Sequence, residues 1–405
     1  MKKYLIKSFM MKDGTRSCLL YNGEQEPLLY PNLYLEDEVR RKRNTATTAL
    51  AVAKSISILL VFLDQRGINI ESAINEKRFL TREDIKSIIY YMSGKINSGN
   101  VVNINEKDRL VSSGTRFYRI KIAIRYITWL CEYLLGSKAY IDEKAKLFLR
   151  MLNGYCPKKK IDENFYTKRH KAIDERQKTA LFKCVSVNSD SNIYTKSVRK
   201  RNELIIILLY SLGLRKGELL NMRISDIDFS VNGISIIRRH DDKFDSRVNQ
   251  PVVKTLNRVM KVSDWIMGKL INYIKTDRRN SIGKKQHDFL LVNHRGGKLS
   301  GLPMSIDAYE KTIQKIKEHD PLFKDFSGHA LRHTWNHEFS LKLENIDSSL
   351  IKINPELIRS FAMGWSPNSQ MAAIYNNKYY QEKMFKLLAI VQESIYTDLK
   401  GLVYE

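Results

Sequence analysis

Residues Leu208–Phe229, LLYSLGLRKGELLNMRISDIDF, carry the feature that decides the fold. An apolar run beginning at Leu204 stops at Gly213, and two charged residues follow: Arg215 and, three positions on, Glu218. A glycine just past the last periodic apolar residue ends a helix. Charges at the foot of such a helix sit where they are partly buried and held rigid, and Glu218 is spaced to fix the Arg215 guanidinium. Taken alone, the pair reads as an ordinary surface ion pair, since Arg–Glu pairs three residues apart are common on surfaces. The surrounding chain has to separate the two.

With 405 residues, 43% of them hydrophobic, the chain can build two or three domains with a sizeable core. It has 69 Lys and Arg against 44 Asp and Glu, a net charge of +25. That surplus favours a polyanionic partner, either nucleic acid or an acidic membrane surface. The cations come in short clusters, RRKR at Arg40–Arg43, KKK at Lys158–Lys160, KRHK at Lys168–Lys171 and RKR at Arg199–Arg201. Spread in this way they suit a folded surface following a phosphate backbone, although each cluster by itself also reads as a solvated loop. Cys18, Cys131, Cys156 and Cys184 form no CxxC pair, which argues against a disulfide framework or zinc module and for a reducing cytoplasm. The N-terminus lacks the apolar core of a signal peptide, and runs such as LIIILLY (204–210) are too short to span a bilayer. A soluble cytoplasmic protein with no membrane partner is expected.

Four regions follow from periodicity. Residues 1–44 form a β-prone arm, with KYLIKSFM and SCLLYNG flanking the turn KDGT. Residues 45–153 carry four helical segments and no strand, a compact helical domain. In its third helix Arg116, Arg119, Lys121 and Arg125 are candidates for a phosphate-facing side. Residues 154–171 are a basic linker, in which Lys158, Lys159 and Lys160 are further candidates for DNA contact. Residues 172–405 mix helices with the β-like stretches GISIIRR, QPVVKT and RVMKVS, and Arg199 and Arg201 complete the set of possible phosphate contacts. The expected class is mainly α with a small β-sheet (α+β).

A second stretch, SGHALRHTWNHEFS (Ser327–Ser340), sets His329, His333 and His337 four residues apart with Arg332 between the first two. On a helix the histidines share a face. A zinc protease helix would read His-Glu-x-x-His, but Thr334 occupies the glutamate position, and no third ligand is evident nearby.

Taken in order, GLRKGELLNMRISDID, then HALRHTWNH about a hundred residues later, then MGWSPNSQMAAIYNNKYY, resemble the catalytic region of the tyrosine recombinase (phage integrase) family. The resemblance covers roughly residues 172–400. The preceding helical segment is similar to the family's core-binding domain in size and position only. The resemblance implies a helical core-binding domain and a mixed α/β catalytic domain forming a clamp around DNA. It implies that Arg215 and Arg332 clamp the scissile phosphate, that His329 opens a His-x-x-Arg box, and that Glu218 holds an acidic support position. Trp365 takes the His/Trp position and Tyr375 that of the nucleophile, while His333 and His337 read as structural. The family's lysine, carried on a β-hairpin, falls at Lys254 in QPVVKTLNRVMKVSDW, where TLN makes the turn and Arg258 opens the return strand. Lys243 in HDDKFDS is the second candidate. Two features depart from the family pattern. The Gly-Trp to Tyr interval is one residue longer, and Met371, Ala372 and Ala373 stand where a threonine often precedes the nucleophile. Tyr379 and Tyr380 remain alternatives to Tyr375.

These residue types fit the chemistry. A phosphorane transition state carries extra negative charge, which planar guanidiniums bind bidentately. A tyrosine of pKa about 10 needs an imidazole to take its proton or a cationic pocket to lower its pKa. The leaving 5′-oxygen needs a proton, which a lysine can supply. The 3′-phosphotyrosine product keeps the bond energy, so neither ATP nor a metal is expected, and HRGGKLSG (294–301) lacks phosphate-loop spacing. The partners implied are duplex DNA at specific recombination sites, a homotetramer on it, and accessory DNA-bending proteins, in a nucleoid-associated location. Two other readings share these features: a non-catalytic DNA-binding protein on the same fold, and a type IB-like topoisomerase. After Tyr375 the stripe Met384, Phe385, Leu387, Leu388 and Val391 fits either a helix folded on its own core or a segment docking into a neighbouring protomer.

Overall fold

The chain divides into two compact units, Met1–Ile161 and Asp162–Glu405. The computed structural model describes residues 4–42, 45–95, 110–157, 171–294, 297–344 and 355–366. Lys158, Lys159, Lys160, Tyr375, Tyr379, Tyr380 and the C-terminal apolar stripe lie outside these residues.

In the first unit, β1 (Leu5–Met10) and β2 (Arg16–Tyr21) form an antiparallel hairpin with Leu5 opposite Tyr21 and Met10 opposite Arg16. The Asp13 carboxylate accepts the Thr15 amide at 2.9 Å across the turn, and Gly14 takes φ +93°. The period of two in RSCLLY sends Arg16, Cys18 and Leu20 to one face, where they are 1%, 2% and 0% exposed. Cys18 and Leu20 belong to the same apolar core as the helices that follow. The hairpin is thus a wall of the helical unit, joined to it by its apolar face.

Helices α1 (Leu29–Tyr34), α2 (Ala46–Gln65), α3 (Ile70–Asn75), α4 (Arg82–Ser93), α5 (Ser113–Leu135) and α6 (Glu143–Tyr155) complete this unit. Thr45 caps α2, and Thr81 and Asp84 cap α4 reciprocally. By length and composition α2 suffices to cross a bilayer, contrary to the expectation drawn from shorter runs. Here it is the core helix: Ala49, Ala53, Ile56 and Leu59 are fully buried, and it packs against β2 and α5.

The basic residues of α5 do not share one face. At about 100° per residue, Arg116 and Arg125 point half a turn apart. Arg119 donates to Gly94 O (2.9 Å), and the Lys121 ammonium lies 5.4 Å over the Phe117 ring.

The second unit comprises α7 (Glu175–Val185), α8 (Arg199–Leu212), α9 (Lys216–Asn221), β3 (Ile227–Asp228), β4 (Gly233–Ile236), β5 (Arg258–Lys261), α10 (Asp264–Tyr273), α11 (Arg279–Ile282), α12 (Ile306–His319), α13 (Gly328–Glu344) and α14 (Pro355–Met363). It is mainly helical with a small antiparallel sheet of order β3-β4-β5, in which Ile234 faces Met260. Its centre is α8, whose residues Leu204–Leu209 are at most 3% exposed.

Two expectations change. Arg201 is interior: its guanidinium binds Val292 O (3.1 Å) and Asn202 Oδ1 (2.9 and 3.1 Å). Arg199 is half-buried and donates to Tyr194 O (3.0 Å) and Val187 O (3.4 Å). Arg201 therefore serves α8 from the interior rather than a phosphate-facing surface, and the Arg199 guanidinium is spent on carbonyls at the start of the helix. Nor do residues 251–254 form the expected hairpin strand, since β5 pairs with β4. Pro251 lacks an amide donor, Asn221 Nδ2 donates to Pro251 O, and Val253 is buried, so the segment runs along α9.

Candidate active site

Gly213, at φ +59° and ψ +29°, closes α8 in the left-handed conformation. A Cβ there would lie 2.9 Å from Met363 Cε and 3.1 Å from Trp335 Cγ, so a side chain would block the turn twice over. The chain reverses at once into α9, with Arg215 at its N-cap. The Arg215 amide donates to Glu218 Oε2 at 2.9 Å. Gly217 allows α9 to lie against the 251–254 segment, since its Cβ would come 2.1 Å from Val252 O.

The Glu218 side chain is fully buried and acts as the hub. Its Oε1 accepts from Thr255 Oγ1 (2.5 Å) and Arg258 Nη1 (3.2 Å), and its Oε2 from Arg258 Nη2 (3.1 Å). Arg215 Nη1 lies 3.9 Å from Oε1 and Arg332 Nη1 lies 3.8 Å from Oε2, beyond hydrogen-bond range. Burial raises the Glu218 pKa, but the Arg258 and Arg332 charges and the Thr255 hydroxyl outweigh it and hold the carboxyl below its ordinary range.

Arg332, on α13, is 0% exposed. Its Nη1 donates to Gly213 O (2.7 Å) and its Nη2 to Met363 O (3.0 Å), and its Cζ lies 5.8 Å over the Trp365 ring. One guanidinium thus ties together the ends of α8 and α14 and the tryptophan beyond. Arg215 keeps 24% of its side chain exposed, and its Nη1 makes no hydrogen bond. The two arginines are therefore unequal: Arg215 is partly exposed, whereas the Arg332 side chain is wholly buried.

His329 lies one helical turn before His333, and their rings meet edge to face at 5.0 Å. Burial, with Arg332, Arg215 and Lys171 nearby, pushes the His329 pKa down to about 4. Burial, His329, Lys171 and Arg332 push His333 to about 3. Both imidazoles are neutral at physiological pH, so His329 is in the form that accepts a proton. Among the described residues no group of three or more His, Cys, Asp or Glu is arranged to hold a metal ion.

Trp365 is 6% exposed, and its amide donates to Ser360 O at 2.9 Å. The preceding Gly364, at φ +63°, accepts the Leu256 amide at 3.0 Å, so the 255–258 segment and the approach to Trp365 are joined. Lys254 is exposed and adjoins Thr255, whereas Lys243 lies 5.1 Å over its neighbour Phe244.

The structure thus brings Arg215, Glu218, Arg332 and Trp365 together, with His329 on the same helix as Arg332. Thr255 and Arg258 had not been singled out as site residues. A signal for them existed: a glutamate in the apolar context GELLNM needs more than one partner, and KTLNR supplies a hydroxyl and a guanidinium.

The chain is similar to several known proteins. Transposase A from transposon Tn554 of Staphylococcus aureus is 23% identical over 328 residues, spanning 81% of this chain and 82% of the relative. Tyrosine recombinase XerC of the same species is 24% identical over 214 residues, 52% of this chain and 61% of the relative. Among solved structures, the Tn1549 transposon integrase in complex with transposon right end DNA aligns with 89% of this chain and 100% of its own, at 16% identity and a TM-score of 0.49. The sequence profile described as the phage integrase family matches residues 171–382, more than half of the chain and all of the site described above. The chain belongs to the phage integrase family.

Proposed function

We propose that this chain is a site-specific DNA recombinase of a mobile genetic element, cutting and rejoining duplex DNA through a 3′-phosphotyrosine at Tyr375. One observation carries the proposal: segments of the chain more than a hundred residues apart deliver two arginines, a shared carboxylate and a buried tryptophan to one place. The similarity to a transposase along most of its length supports the assignment to a mobile element.

In this reading Arg215 and Arg332 bind the non-bridging oxygens of the scissile phosphate, where their charge counts most as the phosphorane forms. The Tyr375 oxygen attacks phosphorus, and neutral His329 takes its proton. The bond from phosphorus to the 5′-oxygen breaks, and Lys254 protonates the leaving oxygen. A 5′-hydroxyl from another strand then attacks the phosphotyrosine and reverses the sequence of steps. One phosphodiester is exchanged for one phosphotyrosine and back, so the chemistry requires neither nucleotide hydrolysis nor a metal. Trp365 packs over the Arg332 guanidinium and keeps it in place. Duplex recombination sites, a homotetramer assembled on them through the C-terminal stripe, and DNA-bending accessory proteins belong to the same proposal, as does a nucleoid location.

The test is a plasmid carrying two copies of the element's junction sequence, incubated with the protein in EDTA without ATP. Recombinant circles that require both copies are the expected product. Relaxation of a plasmid lacking any such site would assign the chain to the topoisomerase class. Salt-sensitive DNA binding with neither product would leave a non-catalytic binder. Truncation from about residue 383 is expected to abolish cooperative assembly on DNA, seen as loss of the slow-migrating complexes.

A further inference from the structure

Three guanidiniums surround the single buried carboxylate of Glu218, yet only one of them grips it. Arg258 reaches both oxygens with a two-pronged fork, at 3.2 and 3.1 Å. Arg215 and Arg332 stand off at 3.9 and 3.8 Å. The Arg258 side chain is 6% exposed, and its orientation is fixed from two further directions. Its Nε donates to Ala362 O at 2.7 Å, and its Nη1 lies 3.2 Å from Thr255 Oγ1. A Cβ on Gly364 would come 2.8 Å from Nη1, so the guanidinium fills the space left by that glycine.

We propose that Arg258 is a positioning residue: by engaging both oxygens of Glu218 it keeps the carboxylate off Arg215. The charge arithmetic then favours the reaction. Arg258 takes up the Glu218 charge, Arg332 is held by the Gly213 and Met363 carbonyls, and Arg215, whose Nη1 makes no hydrogen bond, keeps its charge for the phosphate. Without Arg258, Glu218 keeps the Arg215 amide and the Thr255 hydroxyl, but the guanidinium left for it to turn to is that of Arg215, under 4 Å away, and a carboxylate paired there competes with the phosphate. A lysine cannot substitute, because a point charge binds one oxygen and leaves the other to swing toward an arginine. The proposal rests on the recombinase reading above.

The experiment is a double-mutant cycle on single-turnover cleavage of a nicked substrate, read as the rate of covalent adduct formation. It compares wild type, Arg258→Gln, Glu218→Gln and the double variant, below the melting temperatures of all four. Arg258→Gln is expected to slow cleavage by roughly tenfold or more while DNA affinity stays within about twofold. In the Glu218→Gln background the same change is expected to cost about twofold or less, since no carboxylate remains to be restrained. An equal loss in both backgrounds would mean that Arg258 acts only through Ala362 and the fold, and would overturn the proposal. Arg258→Lys, which keeps the charge and loses the fork, is expected to resemble Arg258→Gln, and wild-type rates in it would also overturn the proposal. A wild-type protein that forms no adduct fails the recombinase reading itself. A wild-type adduct with additive losses fails only the role of Arg258.

Discussion

Replacing Glu218 with glutamine changes no volume but removes the charge on which the site is organised. The carboxylate accepts four hydrogen bonds, from the Arg215 amide, the Thr255 hydroxyl and two Arg258 nitrogens. A glutamine amide has one oxygen, so its NH2 meets two donors in one orientation, the Arg215 amide and Arg258 Nη2, and one in the other, Arg258 Nη1, where the Thr255 hydroxyl can turn and accept. Hydrogen bonds to charged groups contribute roughly 1.5–3 kcal/mol each. Losing one or two gives about 1.5–6 kcal/mol, a range that includes the roughly 3–5 kcal/mol for breaking a buried ion pair from one side. For a unit of this size that corresponds to a melting temperature lower by roughly 3–24 °C. Thermal unfolding followed by circular dichroism at pH 7 measures it. The pH dependence checks the sign. The Glu218 pKa is depressed in the folded state, so its contribution is present above the ordinary carboxylate range and is lost as pH falls through the folded value. The gap between wild type and variant should therefore narrow below about pH 4. A variant melting within about 2 °C of wild type at pH 7 would refute the claim that Glu218 is an ionised hub.

Three other outcomes are expected. Gly217→Ala places a methyl 2.1 Å from Val252 O and should destabilise the catalytic unit by several kcal/mol, on the order of overpacking a core; a urea midpoint equal to wild type would contradict the close approach. His329 and His333 have pKa values pushed down to about 4 and about 3, so the unfolded chain takes up their protons first. Stability is then full above about pH 6.5 and falls toward pH 4; His333→Asn should flatten that fall in urea titrations across the range, and an unchanged slope would count against it. Arg201→Gln should lower the melting temperature and leave the salt dependence of DNA binding unchanged, because its donors face Val292 and Asn202; a reduced salt slope would return Arg201 to the DNA surface.

Local rules carried much of the fold. The helix stop at Gly213, the Thr81–Asp84 box and the apolar period of the first unit each follow from neighbours in sequence. Arg215, Glu218, Arg332 and Trp365, which the structure brings together, were legible because each sits in a short motif whose spacing survives without its tertiary surroundings. What the sequence did not disclose depends on distant partners. Arg201 reads as a member of a basic cluster until Val292 and Asn202 are in place. The segment at Val252–Lys254 reads as a strand until Gly217 and Asn221 of α9 occupy it. The hairpin's role as a wall of the first unit depends on α2. The burial of Arg332 needs the carbonyls of Gly213 and Met363, which are far apart in sequence.

The most direct test of the central claim is covalent trapping. Nicked duplexes from the ends of the element are incubated with the protein, and SDS-resistant protein–DNA adducts are resolved on a gel, in parallel with Tyr375→Phe. The account predicts an adduct on the 3′-phosphate side of the nick that is absent with Tyr375→Phe. An adduct persisting in that variant would move the nucleophile to Tyr379 or Tyr380. Absence of any adduct from wild type on DNA that it binds would contradict the account.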